Sequence, residues 1–270
     1  VSVANGLDHV GVATDNLDAA AAEWERLGFA LTPLARHAPP AGTANRCAML
    51  RAGYVELIAV VDPQRPSATL EKFLARYAGI HILSLAITDE QAALERLTRA
   101  GFKTEIVMSS RPANPRQPNG PQAKFARLPL TDSEPRLQLL RHLTPELVWR
   151  KRFLNHPNNA TALDAVIMVA DPPAVLAARL SRAAGVAVVP DPAGGYALPL
   201  AHGQVRILPP DALNSVLPDV AIPSLPFVAG IIVRTADANA AVNQLLKHRS
   251  VRTPAGRLAH AAGAAVLFNS

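Results

Sequence analysis

Cysteine is nearly absent from this chain of 270 residues: Cys47 stands alone. Neither a disulfide framework nor a cysteine zinc cluster is available to it, and a reducing, cytoplasmic compartment is the expectation. Long hydrophobic runs are absent as well. The longest, Val228 to Val233 and Ala261 to Phe268, are strand-sized and fall short of the roughly 18 residues that a membrane span needs. The opening Val1-Ser2-Val3 lacks the basic start and apolar stretch of a signal peptide. No GxSxG, HExxH or dinucleotide glycine fingerprint occurs. The turn Pro192-Ala-Gly-Gly195 lacks the lysine and the spacing of a phosphate loop. Lysine is scarce too, supplying five of the 27 basic residues. The net charge of +6 would suit nucleic acid, but the charges are scattered. Their densest cluster, Arg150-Lys151-Arg152 between Trp149 and Phe153, is too short to form a binding groove. Nucleic acid therefore ranks below a small-molecule partner, and no membrane partner is expected.

What is present is repetition. The stretch from Gly6-Leu-Asp-His-Val through an alanine-rich segment to Leu27-Gly28-Phe29 matches, without a gap and at an offset of 73, the stretch from Gly79-Ile-His-Ile-Leu to Ala100-Gly101-Phe102. A third copy begins at Leu163-Asp-Ala-Val166 and runs through a helical stretch, 175–184, to Gly185. A weaker fourth starts near Phe227 and leads into a helix over Ala238 to Lys247. Each copy reads as an apolar strand, an Asp-containing turn, an amphipathic helix and then further strands. In the first unit those strands are expected at Ala30 to Leu34, Asn45 to Leu50 and Tyr54 to Val60. In the second they are expected at Lys103 to Met108, Ala123 to Leu128 and Arg136 to Leu140, with a proline-rich loop from Arg111 to Pro121. The fold class is thus α+β, built from four βαβββ modules. One module leaves a sheet edge exposed, and two side by side cover it and enclose a cup. An N-terminal pair over 1–145, with modules at about 5–66 and 79–142, and a degenerate C-terminal pair over 155–270 follow. Such pairing can be satisfied within one chain, so a monomer or a homodimer is allowed.

The Leu-Asp-His-Val start, the helix ending in Leu-Gly-Phe and the strand Tyr54-Val-Glu-Leu-Ile resemble the vicinal-oxygen-chelate superfamily, and within it the glyoxalase-like domain proteins. That superfamily includes glyoxalases, extradiol dioxygenases, epimerases, fosfomycin-inactivating transferases and bleomycin-sequestering proteins. The resemblance implies a divalent metal (Zn, Ni, Mn or Fe) in the cup, held by a histidine from the first strand of a module and a glutamate from its last. Here those positions are His9 and Glu56. A neutral imidazole and a carboxylate on neighbouring strands suit a borderline divalent ion with open positions for substrate oxygens. Glu56 is also the candidate proton-moving carboxylate.

The second module breaks the pattern. The gapless match puts Ile82 at the second histidine position; past the longer proline-rich loop the offset changes, and matching the last strands puts Gln138 at the second glutamate position. Gln138 is a usable oxygen ligand, whereas Ile82 is none. His81 falls on the opposite strand face unless a bulge shifts the register. His142, on the Gln138 face, is placed to reach the rim. The corresponding positions of the later modules are Ala165 and Gly230, Arg206 and Val266, which empties the C-terminal pair of metal chemistry. Asn45 and Arg46 are further ligand-binding candidates, and alternation turns one of them into the cup. Tyr54 shares a face with Glu56. Two functions stay open: a metal-dependent isomerase, lyase or dioxygenase acting on a small oxygenated metabolite, or a metal-free small-molecule binding protein of the bleomycin-resistance type.

Overall fold

Each unit opens with a strand that must satisfy two environments, one face packing under a helix and the other lining a concavity. The computed structural model describes residues 4–237 and 250–270. In the first module, β1 (Ala4–Ala13) leads to α1 (Leu17–Arg26), then β2 (Ala35–Arg36), β3 (Thr43–Met49) and β4 (Tyr54–Val60). A connecting helix α2 (Ala68–Leu74) precedes the second module: β5 (Gly79–Ile87), α3 (Glu90–Arg99), β6 (Val107–Pro112), β7 (Gln122–Leu130) and β8 (Arg136–His142). The third comprises β9 (Ala160–Val169), α4 (Pro173–Ala184), β10 (Val189–Pro190), β11 (Tyr196–Pro199) and β12 (Gln204–Leu208). A short helix α5 (Leu213–Val216) follows, and then β13 (Phe227–Thr235), β14 (Ser250–Thr253), β15 (Gly256–Ala261) and β16 (Ala264–Asn269). The expected helix over Ala238 to Lys247 lies outside the described residues.

Polar side chains set the helix starts. Asn16 accepts the Ala19 N–H at the head of α1, and Asp89 accepts those of Gln91 and Ala92 at the head of α3. In every module the first strand pairs in parallel with the last. The modules join in antiparallel pairs through β1 with β5 and β9 with β13. One face of each first strand, with Val10 and Val12, Leu83 and Leu85, Val166 and Met168, and Ile231 and Val233, contributes to one continuous core. Phe29 stacks on Phe268, and the Ala262 N–H donates to Glu23, so first-module residues pack against the fourth module.

Two strands fall elsewhere than expected. Over Ala30 to Leu34 only Leu31 bridges, to Ala48, and the pairing strand is Ala35–Arg36. Pro33 offers no N–H to a ladder. In the second module the strand begins at Val107 rather than Lys103 and runs to Pro112. The first residues of the expected proline-rich loop are therefore strand. Helix α2 had no expectation attached.

The two cups differ. On the C-terminal side the concave face, with Ala165, Ile167, Val169 and Leu267, is filled by Leu213, Val216 and Leu217 around α5. On the N-terminal side, α2 brings Leu70 and Phe73 against Ile82 at one end. The segment after β8 brings Val148 against Cys47, Met49 and Tyr54 at the other. Between those apolar ends a polar chamber stays open. Among the described residues no helix is long and apolar enough to cross a membrane.

Candidate functional site

The chamber is a cleft of about 640 Å³, within the range of small-molecule sites. Strand register explains what stands on its floor. His9 pairs with Tyr54 and Gly11 with Glu56 across β1 and β4; Ile82 pairs with Arg136 and Ser84 with Gln138 across β5 and β8. Gln138 is thus the positional counterpart of Glu56, and Ile82 of His9. Across the joint between modules, His9 faces Ser84 and Ile82 faces Gly11. A Cβ on Gly11 would stand 2.9 Å from the Ile82 side chain, so a glycine there is what lets the isoleucine lie flat.

A bulge governs His9. Leu7 pairs with Leu85 and His9 with Ser84, which leaves Asp8 as an extra residue on β1. Asp8 can therefore reach its neighbour, and the His9 Nδ1–H donates to Asp8 Oδ1 at 2.6 Å. On the other side His142 Nε2–H donates to Asp8 Oδ2 at 2.9 Å. Burial pushes the Asp8 carboxyl up, and the hydrogen bonds and charges of His142 and His9 outweigh it, holding the group below its usual range. A carboxylate on Nδ1 fixes the His9 tautomer and turns the Nε2 lone pair towards the chamber. There Ser84 Oγ–H donates to it at 2.9 Å, and the Gln138 amide lies 3.4 Å away while donating to Ser84 at 2.6 Å. Tyr54 stacks on the His9 ring with centroids 4.5 Å apart.

Glu56 completes the floor. Its Oε2 lies 3.8 Å from His9 Nε2, and its Oε1 accepts from Asn45 Nδ2 at 2.6 Å with His37 Nε2 3.8 Å away. Burial raises its pKa, but His37, the His9 charge and the Asn45 hydrogen bond prevail and hold the carboxyl at about 2. It is ionised at neutral pH. Burial pushes Cys47 up to about 12 and Tyr54 well above its ordinary value, so both are protonated, neutral lining groups.

Of the expected residues, His9, Asn45, Tyr54, Glu56 and Gln138 line the chamber together. Arg46 does not. It points out of the cup, bonding the Thr32 carbonyl and Glu25 at 2.8 Å, as alternation requires once Asn45 points in. His142 is not at the rim either. It sits behind Asp8, its ring edge-on to Trp149 and Phe125. His81 is likewise outside, stacked between Phe73 and Tyr77 with its Nε2–H on the Tyr77 carbonyl. Sequence reasoning missed Ser84 and His37, and it missed Arg111, Arg127 and Arg136, which line one wall. Arg136 lay two residues before Gln138 on the same strand face, so alternation alone could have found it.

Among the described residues no three His, Cys, Asp or Glu side chains cluster to hold a metal ion. A donor set emerges once an amide is counted. His9 Nε2, Glu56 Oε2 and Gln138 lie 3.8 Å and 3.4 Å apart from the imidazole outward. Ligands at about 2.1 Å around one tetrahedral ion are roughly 3.4 Å apart, and a turn of the Gln138 amide presents oxygen in place of nitrogen. His9, Glu56 and Gln138 are thus the three donors a divalent ion would use, with the Gln138 amide turned and Ser84 moved off the His9 lone pair.

The sequence profile of the Glyoxalase-like domain family matches residues 7–184. No curated protein sequence matches the chain. Among solved structures, a hypothetical protein from Staphylococcus aureus superposes with a TM-score of 0.72 over 98% of both chains at 12% identity. A mutant of 4-hydroxymandelate synthase from Streptomyces coelicolor superposes with a TM-score of 0.60 at 15% identity, covering 93% of this chain and 78% of that one. A fusion of a xylose isomerase-like TIM barrel with a 4-hydroxyphenylpyruvate dioxygenase gives 0.60 at 18% identity, over 94% of this chain and 40% of the fusion. At these identities the likeness is one of fold.

Proposed function

The chain belongs to the glyoxalase-like domain family, and on that premise we propose that its N-terminal cup is an enzyme site that holds a divalent metal and acts on a small oxygenated metabolite. The observation that carries this is the convergence of His9 Nε2 on Glu56 Oε2 at 3.8 Å and on the Gln138 amide at 3.4 Å. His9, Glu56 and Gln138 would hold the ion. When bound, it supplies polarisation of a carbonyl or enolate oxygen. Asp8 keeps the His9 lone pair aimed into the chamber, and His142 keeps Asp8 in place. Asn45 orients Glu56 through Oε1, leaving Oε2 for the centre of the floor. A carboxyl held at about 2 is a dependable ligand and a weak base. His37 lines the same chamber, and its Nδ1 is engaged by Thr43 Oγ1 at 2.7 Å. Its Nε2 lies 3.2 Å from Asn45 Nδ2 and 3.8 Å from Glu56 Oε1, so on this reading it would take a substrate proton by giving up the Asn45 contact.

The test is elemental analysis of the purified chain after reconstitution with Zn, Ni, Mn or Fe. Stoichiometric metal in the wild type that is lost in His9→Ala supports the reading; a metal-free wild type refutes it. One observation favours a second reading, a metal-free binding cup. Ser84 already donates to His9 Nε2, and an engaged lone pair coordinates nothing. On that reading small molecules stabilise the protein equally with and without chelator.

A further inference from the structure

The three arginines of the second-module wall have no part in the metal chemistry. We propose that Arg127 and Arg136, with Arg111 towards the mouth, form an oxyanion subsite that binds a carboxylate or phosphate group of the substrate. The inference names a substrate class and rests on the reading of the N-terminal cup as the substrate site.

Three observations carry it. First, register places the side chains. Arg136 pairs with Ile82 and lies two residues before Gln138, so it shares the cup face with both. Arg127 pairs with Leu140, and Phe125 and Arg127 line the cup on the same strand face, as do Ser109 and Arg111 on β6. Second, none of the three is in an ion pair among the described residues. Arg127 donates to Ser109 Oγ at 3.2 Å, and Arg111 lies over the Phe125 ring. Arg136 Nε is buried without a hydrogen-bond partner. The carboxylates nearest Arg136 are committed elsewhere, Glu56 to Asn45 and Glu134 to Arg76 at 3.5 Å. Third, among the described residues Glu56 is the single acidic one lining the chamber, so the wall is cationic on balance.

A half-buried guanidinium whose Nε has no partner is costly, and a second one on the neighbouring strand adds repulsion. A bound oxyanion relieves both costs at once. The planar guanidinium fork matches a carboxylate or phosphate bidentately. Two residues along a strand span on the order of 7 Å. An oxyanion on Arg136 thereby leaves the rest of a small substrate over Gln138, His9 and Glu56.

The experiment titrates the full-length chain, stripped with EDTA, with inorganic phosphate and with malonate in a calorimeter. At least one oxyanion is expected to bind, with affinity falling about tenfold or more in Arg136→Met and in Arg127→Met. Arg141→Met, which removes a surface partner of Glu90, should bind as the wild type does. Arg136→Lys, which keeps the charge and loses the fork, should fall between. Preference for phosphate assigns the substrate to phosphate esters, and preference for malonate to carboxylic acids. Binding of neither anion, or equal binding by the wild type and both methionine variants, overturns the proposal. Because the titration is done without metal, its failure is separate from failure of the metal reading, which shows in elemental analysis alone.

Discussion

Asp8 and His81 are counterparts, each the extra residue of a bulge between β1 and β5, yet their environments set them opposite tasks. Asp8 is ionised and works on His9. His81 is fully buried between two rings, and burial, with the Arg76 charge, depresses its pKa to about 4 against the pull of the Tyr77 carbonyl. A histidine that titrates at about 4 when folded and near 6.5 when unfolded binds fewer protons in the native state. The stability it contributes is whole above pH 6.5 and is lost as pH falls towards 4. His81→Phe keeps the stack and removes the titration. The stability difference between the two proteins, from denaturant melts at several pH values, should shift by on the order of 3 kcal/mol across that window. Glu56 gives the acid-side counterpart. Its folded value of about 2 lies below the ordinary 4.5, so its contribution is whole above pH 4.5 and disappears as pH falls to 2. The wild-type advantage over Glu56→Gln should shrink through that lower window, checked by the same melts.

At the scale of the element, register decides which residues meet. The match at an offset of 73 was legible in the sequence, and the observed pairing carries Gln138 to the Glu56 position and Ile82 to the His9 position. What could not be read was the bulge at Asp8. Strict alternation sends Asp8 and His9 to opposite faces, and only the extra residue lets them hydrogen-bond. Ile82 is the element-level departure with the clearest consequence. Ile82→His adds a donor next to the floor opposite Gly11. It is expected to tighten metal retention about tenfold or more, read by competition with a chelator. Equal retention in variant and wild type would mean that the metal centre does not lie between these strands.

The molecule as a whole is less divisible than its repeats suggest. Backbone hydrogen bonds cross from one pair of modules to the other, Leu7 to His202 and Leu163 to Ala52 among them. One apolar core runs through all four modules. A single calorimetric unfolding transition is therefore expected, and two resolved transitions would mark the halves as independent. Leu217, fully buried in the plug of the C-terminal cup, should cost about 2–5 kcal/mol when changed to alanine. Because that plug lies away from the N-terminal chamber, metal content and anion binding should be unchanged in the same variant.

The sequence by itself determined the module and its number of copies, because strand, cap and helix signals are local and recur in the same order along the chain. It also singled out His9, Glu56 and Gln138, since position within a repeat is a matter of counting. The tertiary structure alone decided which cup stays open. That depends on α2 and α5, connectors outside the repeat, filling one concavity fully and the other only at its end. It also decided that Arg111, Arg127 and Arg136 stand together on one wall, since charges on three separate strands converge only when the sheet curls.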